Sequence, residues 1–169
     1  MLGDEVASLG LGRIATAESC TGGLIAAAFT DTPGSSAWFS RGYVTYANEA
    51  KVEMLGVSAD SLREQGAVSE TVVAQMAEGT LRASDVFLGM AVSGIAGPDG
   101  GLPGKPVGTV CFGWAIRWPM QADGAPLVRT ETRHFEGDRA SVRQQTAVHA
   151  LRGALRLIQV MQADQPPAC

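Results

Sequence analysis

The pattern of apolar and polar positions changes several times along the chain, and each change predicts a new structural element. Residues 86–92 (VFLGMAV) form a continuous apolar run of strand length, which is typical of a strand covered on both faces of a sheet. Residues 69–84 instead repeat apolar side chains at helical spacing from Val72 to Leu81. The chain therefore combines buried strands with amphipathic helices.

The same patterns predict five strands and five helices over the whole sequence. The strands are predicted at residues 13–18, 38–46, 86–92, 107–118 and 127–135. The helices are predicted at residues 21–30, 47–55, 58–65, 69–84 and 138–161. Because strands alternate with helices and the last two strands form a hairpin, we expect an α/β fold. Its form would be a three-layer α/β/α sandwich around a mixed, mostly parallel sheet of about five strands. We expect a single domain over residues 1–162 and a disordered tail at 163–169.

Composition excludes several functional classes. A formal net charge of −4 argues against a basic surface for nucleic acid, so no nucleic-acid partner is expected. No apolar run approaches the roughly 18 residues of a membrane span, and the first residues lack a signal-peptide pattern. We therefore expect a cytoplasmic protein without a membrane partner, and the hydrophobic content of 46% favours a homo-oligomer. The spacing of Cys20, Cys111 and Cys169 predicts neither a disulfide framework nor a metal site.

Residues 16–23 (TAESCTGG) connect the first predicted strand to the first predicted helix and contain two adjacent candidate nucleophiles, Ser19 and Cys20. The N–H groups of Cys20, Thr21 and Gly22 are expected to be free, because the first turn of a helix has no internal acceptor for them. Free N–H groups at a helix N-terminus stabilise the oxyanion that forms when a hydroxyl attacks an amide. The alternative is that Ser19 only caps the helix, as serine commonly does.

Neither nucleophile has an evident histidine partner, because His134 and His149 lie on a predicted strand and a predicted helix far along the chain. A thiolate at Cys20 would be favoured by the helix N-terminus but would still need such a partner. Ser19 needs a different base, and the best candidate is Lys51 in the segment YANEAK. A buried lysine can be neutral near pH 7 and can then accept the proton of a serine.

Tyr46 and Lys51 are expected at the same rim of the sheet, since Tyr46 ends a predicted strand and Lys51 lies one turn into the next helix. Eleven of the 13 basic residues are arginines, which stay protonated, and Lys51 and Lys105 are the only lysines. This usage favours a special role for lysine. The alternatives are a solvated lysine on an exposed helix face and a tyrosine at the edge of the core.

The segment SGIAGPDGG (residues 93–101) follows another predicted strand and has flexible backbone that can approach a ligand closely. Ser93 offers a hydroxyl, Asp99 offers a carboxylate, and the N–H groups at glycines such as Gly94 and Gly97 can bind an anion. The segment is therefore a candidate substrate-binding loop. The alternative is an ordinary connection.

The segment FEGDRASVR places Asp138 near the start of the last predicted helix, with Arg139 and Arg143 on about one face. The carboxylate suits the helix dipole, and an arginine there could bind a substrate phosphate with two hydrogen bonds. The alternative is a capped helix that carries solvated arginines.

Several of these segments occur in the same order in a known family. The chain resembles the CinA C-terminal-domain family over about residues 16–146, through AESCTGG, GSSAWFSRGYVTYANEAKVEMLGV, GAVSE, SGIAGPDGG, KPVGTV and FEGDRASVR. The larger members of that family carry an additional N-terminal domain that has no counterpart in this sequence. We therefore expect the chain to resemble the stand-alone amidases of the family. This resemblance implies hydrolysis of nicotinamide mononucleotide to nicotinate mononucleotide and ammonia, without a metal or cofactor and with this small molecule as the partner.

The resemblance also implies roles for single residues. Ser19 matches the nucleophilic serine, Lys51 the lysine that acts as its base, and Tyr46 a residue that assists. Ser93 matches a hydroxyl partner in the loop, and Arg139 an arginine that contacts substrate or helps to set the pKa of the lysine. Two alternatives stay open: an amidase for another carboxamide, and a catalytically silent nucleotide-binding or regulatory domain associated with competence or DNA-damage proteins.

Overall fold

The structure is a computed structural model that describes residues 5–6, 10, 12–117 and 124–163. The strands are β1 (Ile14–Glu18), β2 (Phe39–Val44), β3 (Leu88–Gly94), β4 (Thr109–Ile116) and β5 (Leu127–His134). The helices are α1 (Leu24–Thr30), α2 (Asn48–Leu55), α3 (Ala59–Gln65), α4 (Glu70–Ala83) and α5 (Arg139–Ala163), and a short 3₁₀ helix (Ser35–Ala37) precedes β2. The predicted disordered tail falls, from residue 164 onward, outside the described residues.

The described strands form one sheet in the order β2-β1-β3-β4-β5. β1 pairs in parallel with β2 and β3, whereas β4 runs antiparallel to both β3 and β5. Four strands of this sheet therefore point in one direction and β4 alone is reversed. The prediction of a mixed, mostly parallel sheet that ends in a hairpin is confirmed.

Helices cover both faces of the sheet, which confirms the three-layer sandwich. On one face α1 and α5 bury Ile25, Phe29 and Ile158 against Phe112 and other apolar side chains of the strands. On the other face α2 and α4 pack against the small side chains of the strands, such as Ala17. Within the described residues, no helix is long and apolar enough to cross a bilayer.

Local capping signals place two of the helix starts correctly. The Ser58 hydroxyl accepts the N–H of Ser61 at 3.3 Å at the start of α3, and the Ser69 hydroxyl accepts the N–H of Val72 at 3.3 Å at the start of α4. Both starts agree with the sequence pattern, because a cap depends only on residues three positions apart.

The first helix begins later than predicted, at Leu24 and not at residue 21. Gly22 and Gly23 have φ angles of 60° and 101°, which are not those of a right-handed helix and which glycine adopts most readily. Residues 19–23 therefore form a separate turn between β1 and α1. We call these five residues the serine turn.

The strand directions bring four candidate segments to one edge of the sheet. The carboxyl ends of β1, β2, β3 and β5 lie at this edge. β1 leads into the serine turn and β2 into Tyr46. β3 leads into residues 93–101, which we call the glycine-rich loop, and β5 leads towards Arg139. Ligands commonly bind at such an edge in open α/β sheets. The fold alone therefore selects this edge as the place to look for a site.

Candidate active site

Ser19 occupies a fixed backbone position at the end of β1. Its N–H donates to the Val92 carbonyl at 3.1 Å, and its own carbonyl accepts the N–H of Gly22 at 3.1 Å. Ser19 does not cap α1, because Gly23 holds the cap position and no side chain accepts a hydrogen bond there. The hydroxyl is thus available for another role, and the residue keeps 9% exposure.

Glu18, and not Ser19, supplies the side chain that accepts the N–H groups at the start of α1. Its side chain is 1% exposed and accepts the N–H groups of Gly23, Ile25 and Ala26 at 2.8–3.1 Å. It also accepts the Thr16 hydroxyl at 3.3 Å. A carboxylate next to the N-terminus of a helix suits both the free N–H groups and the dipole. Glu18 was not among the predicted site residues, although an acidic side chain just before a predicted helix was a usable signal.

This arrangement corrects part of the predicted oxyanion site. The N–H of Gly22 is not free, since it closes the serine turn on the Ser19 carbonyl, and Glu18 already occupies the start of α1. Among the described residues, the N–H groups of Cys20 and Thr21 have no oxygen acceptor, and the Cys20 N–H interacts with its own thiol sulfur. Cys20 is 6% exposed and Thr21 is fully buried.

Lys51 is buried beside Ser19, at 1% exposure. Its Nζ lies 3.2 Å from Ser19 Oγ, 2.8 Å from the Thr45 carbonyl and 3.2 Å from the Tyr46 carbonyl. Burial lowers the pKa of the Lys51 ammonium, and the weaker effects of Cys20 and Glu49 oppose this shift. The structure therefore joins the predicted nucleophile and base, which are 32 residues apart in sequence.

Tyr46 links this pair to Arg139. Its carbonyl accepts Lys51 Nζ, and its hydroxyl, on a side chain at the exposed rim, accepts Arg139 Nη2 at 3.1 Å. Arg139 Nη1 also donates to the Gly97 carbonyl at 2.9 Å, which ties the glycine-rich loop to the start of α5. Burial is the largest cause of the lowered pKa of Lys51, and a role of Arg139 in setting that pKa stays a prediction.

The other candidate residues of the glycine-rich loop differ in their burial and in their contacts with the site. Ser93 is buried at 1% exposure and follows Val92, the residue that binds the Ser19 N–H, so it lies next to the serine turn. Gly94 ends β3 and pairs with Val110 of β4. Asp99 is exposed and makes no hydrogen bond with the other candidate residues. The structure thus gives no contact that joins Asp99 to the site.

Cys20 is a poor rival to Ser19. Burial raises the pKa of its thiol to about 11, and nearby Glu18 adds to this effect, so the reactive thiolate is scarce near pH 7. His149 does not compensate, since it pairs with Glu131 at 3.1 Å and packs against Phe112. The geometry favours the hydroxyl over the neighbouring thiol.

Two threonine hydroxyls beside the pair have no partner. Thr21 Oγ1 and Thr45 Oγ1 are the buried side-chain oxygens without a hydrogen bond in the described part of the chain. Unpaired buried polar groups are rare in proteins and concentrate where a structure serves a function. Thr21 belongs to the serine turn, and Thr45 supplies a carbonyl to Lys51.

Two cavities among the described residues lie away from Ser19 and Lys51. One, of about 390 Å³, lies between β4, β5 and α5 and is lined by Trp114, Arg129 and Arg156 among others. The second is lined by α5 residues and Phe135. Neither contains Ser19 or Lys51, so the chemistry of the side chains, and not the volume of a cavity, identifies the site.

Comparisons with known proteins identify the family of this chain. The family model described as the CinA C-terminal domain matches residues 5–158. The chain belongs to the CinA C-terminal-domain family. This confirms the family resemblance that the motifs indicate.

Two relatives of this CinA-family chain differ in length. A nicotinamide-nucleotide amidohydrolase PncC from Enterobacter agglomerans is 57% identical over 143 residues, which cover 85% of this chain and 83% of that protein. A CinA-like protein from Akkermansia muciniphila is 52% identical over 143 residues, which cover 85% of this chain but only 33% of that protein. The chain thus spans most of the amidohydrolase and about one third of the longer relatives.

A solved structure supports the same fold. A competence-damaged protein (CinA) superfamily protein from Klebsiella pneumoniae 700603 superposes with a TM-score of 0.84 at 35% identity. The match covers 94% of this chain and 93% of that one. The strand order and the layers described above are therefore those of the CinA fold.

Proposed function

We propose that this CinA-family chain hydrolyses the carboxamide of nicotinamide mononucleotide to nicotinate mononucleotide and ammonia, with Ser19 as nucleophile and Lys51 as base. The relative named nicotinamide-nucleotide amidohydrolase, which matches over most of both lengths, supports the reaction class. The observation that carries the mechanism is the 3.2 Å contact between Lys51 Nζ and Ser19 Oγ in a buried environment.

The partners of Lys51 favour proton transfer from Ser19. The Thr45 and Tyr46 carbonyls only accept hydrogen bonds, so they take two N–H groups of the amine. A neutral amine has only two N–H groups, so its lone pair is then left for the remaining partner, the Ser19 hydroxyl. Because burial lowers the pKa of Lys51, this neutral form is more available than for a solvated lysine.

The reaction then follows in balanced steps. Ser19 Oγ attacks the carboxamide carbon while its proton moves to Lys51 Nζ. The tetrahedral intermediate breaks its C–N bond, and Lys51 returns the proton to the nitrogen that leaves as ammonia. Water next attacks the ester carbon and gives a proton to Lys51, which passes it to Ser19 Oγ as the acid departs.

The oxyanion of the intermediate needs N–H donors near Ser19. We assign this role to Cys20 and Thr21, whose N–H groups have no oxygen acceptor among the described residues. One such donor commonly contributes about 3–4 kcal/mol to the transition state. The substrate phosphate is assigned to the glycine-rich loop or to Arg139, which bridges that loop and Tyr46.

Ammonia release from nicotinamide mononucleotide tests the proposal. The protein is expected to release ammonia from this nucleotide faster than from unrelated amides, and Ser19→Ala should reduce kcat at least about 1,000-fold. Ser58→Ala, which removes a capping hydroxyl that bonds the Ser61 N–H and contacts neither Ser19 Oγ nor Lys51 Nζ, is the matched control and should keep normal kcat. Binding of the nucleotide by the natural protein without ammonia release would favour a silent regulatory domain. Full activity in Ser19→Ala would remove Ser19 from the mechanism.

A further inference from the structure

Arg143 reaches the serine turn from the other end of the chain. It lies on the first turns of α5, and its Nε donates to the Cys20 carbonyl at 3.1 Å. Its Nη2 donates to the Thr21 carbonyl at 2.8 Å. One guanidinium thus holds two consecutive carbonyls of the segment that follows the candidate nucleophile.

These contacts are mechanically coupled to Ser19 through a single peptide group. The peptide that joins Thr21 to Gly22 gives its carbonyl to Arg143 and its N–H to the Ser19 carbonyl. Because a trans peptide is planar, its carbonyl and its N–H point in opposite directions and rotate together. Arg143 therefore sets the direction of the N–H that fixes the Ser19 backbone.

The carbonyl contacts also fix the direction of the N–H groups. When the Cys20 carbonyl faces Arg143, the N–H of Thr21 in the same peptide faces the opposite side. This is one of the two N–H groups of the turn without an oxygen acceptor. Glu18 accepts the N–H of Gly23, the last residue of the turn, so Arg143 holds the middle of the turn and Glu18 holds its end.

We propose that Arg143 is a positioning residue, which holds the serine turn so that Ser19 Oγ stays within reach of Lys51. The inference rests on the proposed function, since it assumes that Ser19 is the nucleophile. It also changes the expectation for Arg143: two of its donors bind the protein backbone and not a substrate phosphate. Arg139, one turn earlier, instead bridges Tyr46 and the glycine-rich loop, so the two arginines of FEGDRASVR have different tasks.

The test measures kcat and KM for ammonia release in two variants. Arg143→Met keeps the apolar stem but removes both donors, and we expect kcat to fall about 10- to 100-fold with KM within twofold, because the nucleophile is misplaced. Arg143→Lys offers a single ammonium to two carbonyls, so its kcat should fall at least threefold but less than that of Arg143→Met. Arg156→Met, an exposed arginine on the same helix, is the control and should leave kcat unchanged.

The outcomes are separable. If the natural protein releases ammonia and Arg143→Met keeps full kcat, the positioning role is wrong and the proposed function stands. A rise in KM at constant kcat would also overturn it, since Arg143 would then bind the substrate itself. If Arg143→Met does not fold, as shown by circular dichroism, the kcat of Arg143→Lys decides. If the natural protein releases no ammonia, the proposed function fails and this inference fails with it.

Discussion

Glu18 and Lys51 are both 1% exposed and both lie next to Ser19, but their surroundings differ. Four donors surround the Glu18 carboxylate, three of them backbone N–H groups and one a hydroxyl. Lys51 meets two carbonyls and one hydroxyl, and within the described residues no carboxylate forms an ion pair with it. The first environment supplies hydrogen-bond donors to the Glu18 side chain, whereas burial in the second lowers the pKa of Lys51 and favours its neutral amine.

This difference separates a structural group from a chemical one. A buried carboxylate whose acceptor sites are filled holds a helix in place and has no capacity left for a reaction. A buried amine without a counter-ion readily loses its proton, and the atom that its lone pair can face is the Ser19 hydroxyl. Burial alone would not have distinguished Glu18 from Lys51.

Among the variants that test the comparison of Glu18 with Lys51, the largest effect is expected for Lys51→Arg. Arginine cannot be deprotonated in a protein, so it cannot act as base, and kcat should fall about 1,000-fold. Ammonia release checks this. The matched control is Lys105→Arg, at the only other lysine, whose Nζ donates to the Gln65 carbonyl. More than a tenth of normal kcat in folded Lys51→Arg would mean that another group takes the proton.

Glu18→Gln is expected to act mainly on stability. The amide replaces one acceptor oxygen with an N–H₂ group that faces existing donors, so the free energy of unfolding should fall by about 2–3 kcal/mol. Urea unfolding measures it. Glu53→Gln, on an exposed position of α2, is the control and should change stability by less than about 0.5 kcal/mol. Equal stability of the two variants would show that the cap of α1 does not depend on the carboxylate.

The smallest effect is expected for Cys20→Ala. Because the pKa of the thiol is raised to about 11, Cys20 is neutral near pH 7, and its contribution to the site is its backbone N–H, which alanine keeps. The value of kcat should stay within about threefold of normal. A loss as large as that of Ser19→Ala would reverse the assignment of the nucleophile.

Local patterns predicted most of the fold, because strands and helix caps depend on neighbouring residues. Ser58 and Ser69 cap helices as expected, and the apolar run before the glycine-rich loop is a buried strand. The start of α1 could not be predicted in this way. It depends on Glu18 folding back onto N–H groups five to eight residues later and on two glycines with positive φ.

The site was predictable in part. The strand directions and the family resemblance indicate that Ser19, Lys51 and Tyr46 meet at one edge of the sheet, and the structure joins them. The role of Arg143 could not be predicted, since its partners are backbone carbonyls more than 120 residues away. Every residue has such a carbonyl, so the sequence does not indicate which one accepts a hydrogen bond. The prediction that the Gly22 N–H is free was wrong for a similar reason, because this N–H donates to the backbone carbonyl of Ser19.

The protonation state of Lys51 is the central claim, and nuclear magnetic resonance of labelled lysine side chains measures it most directly. The chain has two lysines, so the Lys105→Arg variant assigns both signals. Because burial lowers the pKa of Lys51, its signal should titrate below the ordinary lysine value of about 10.4. A pKa at or above about 10.4 for Lys51 would contradict the account.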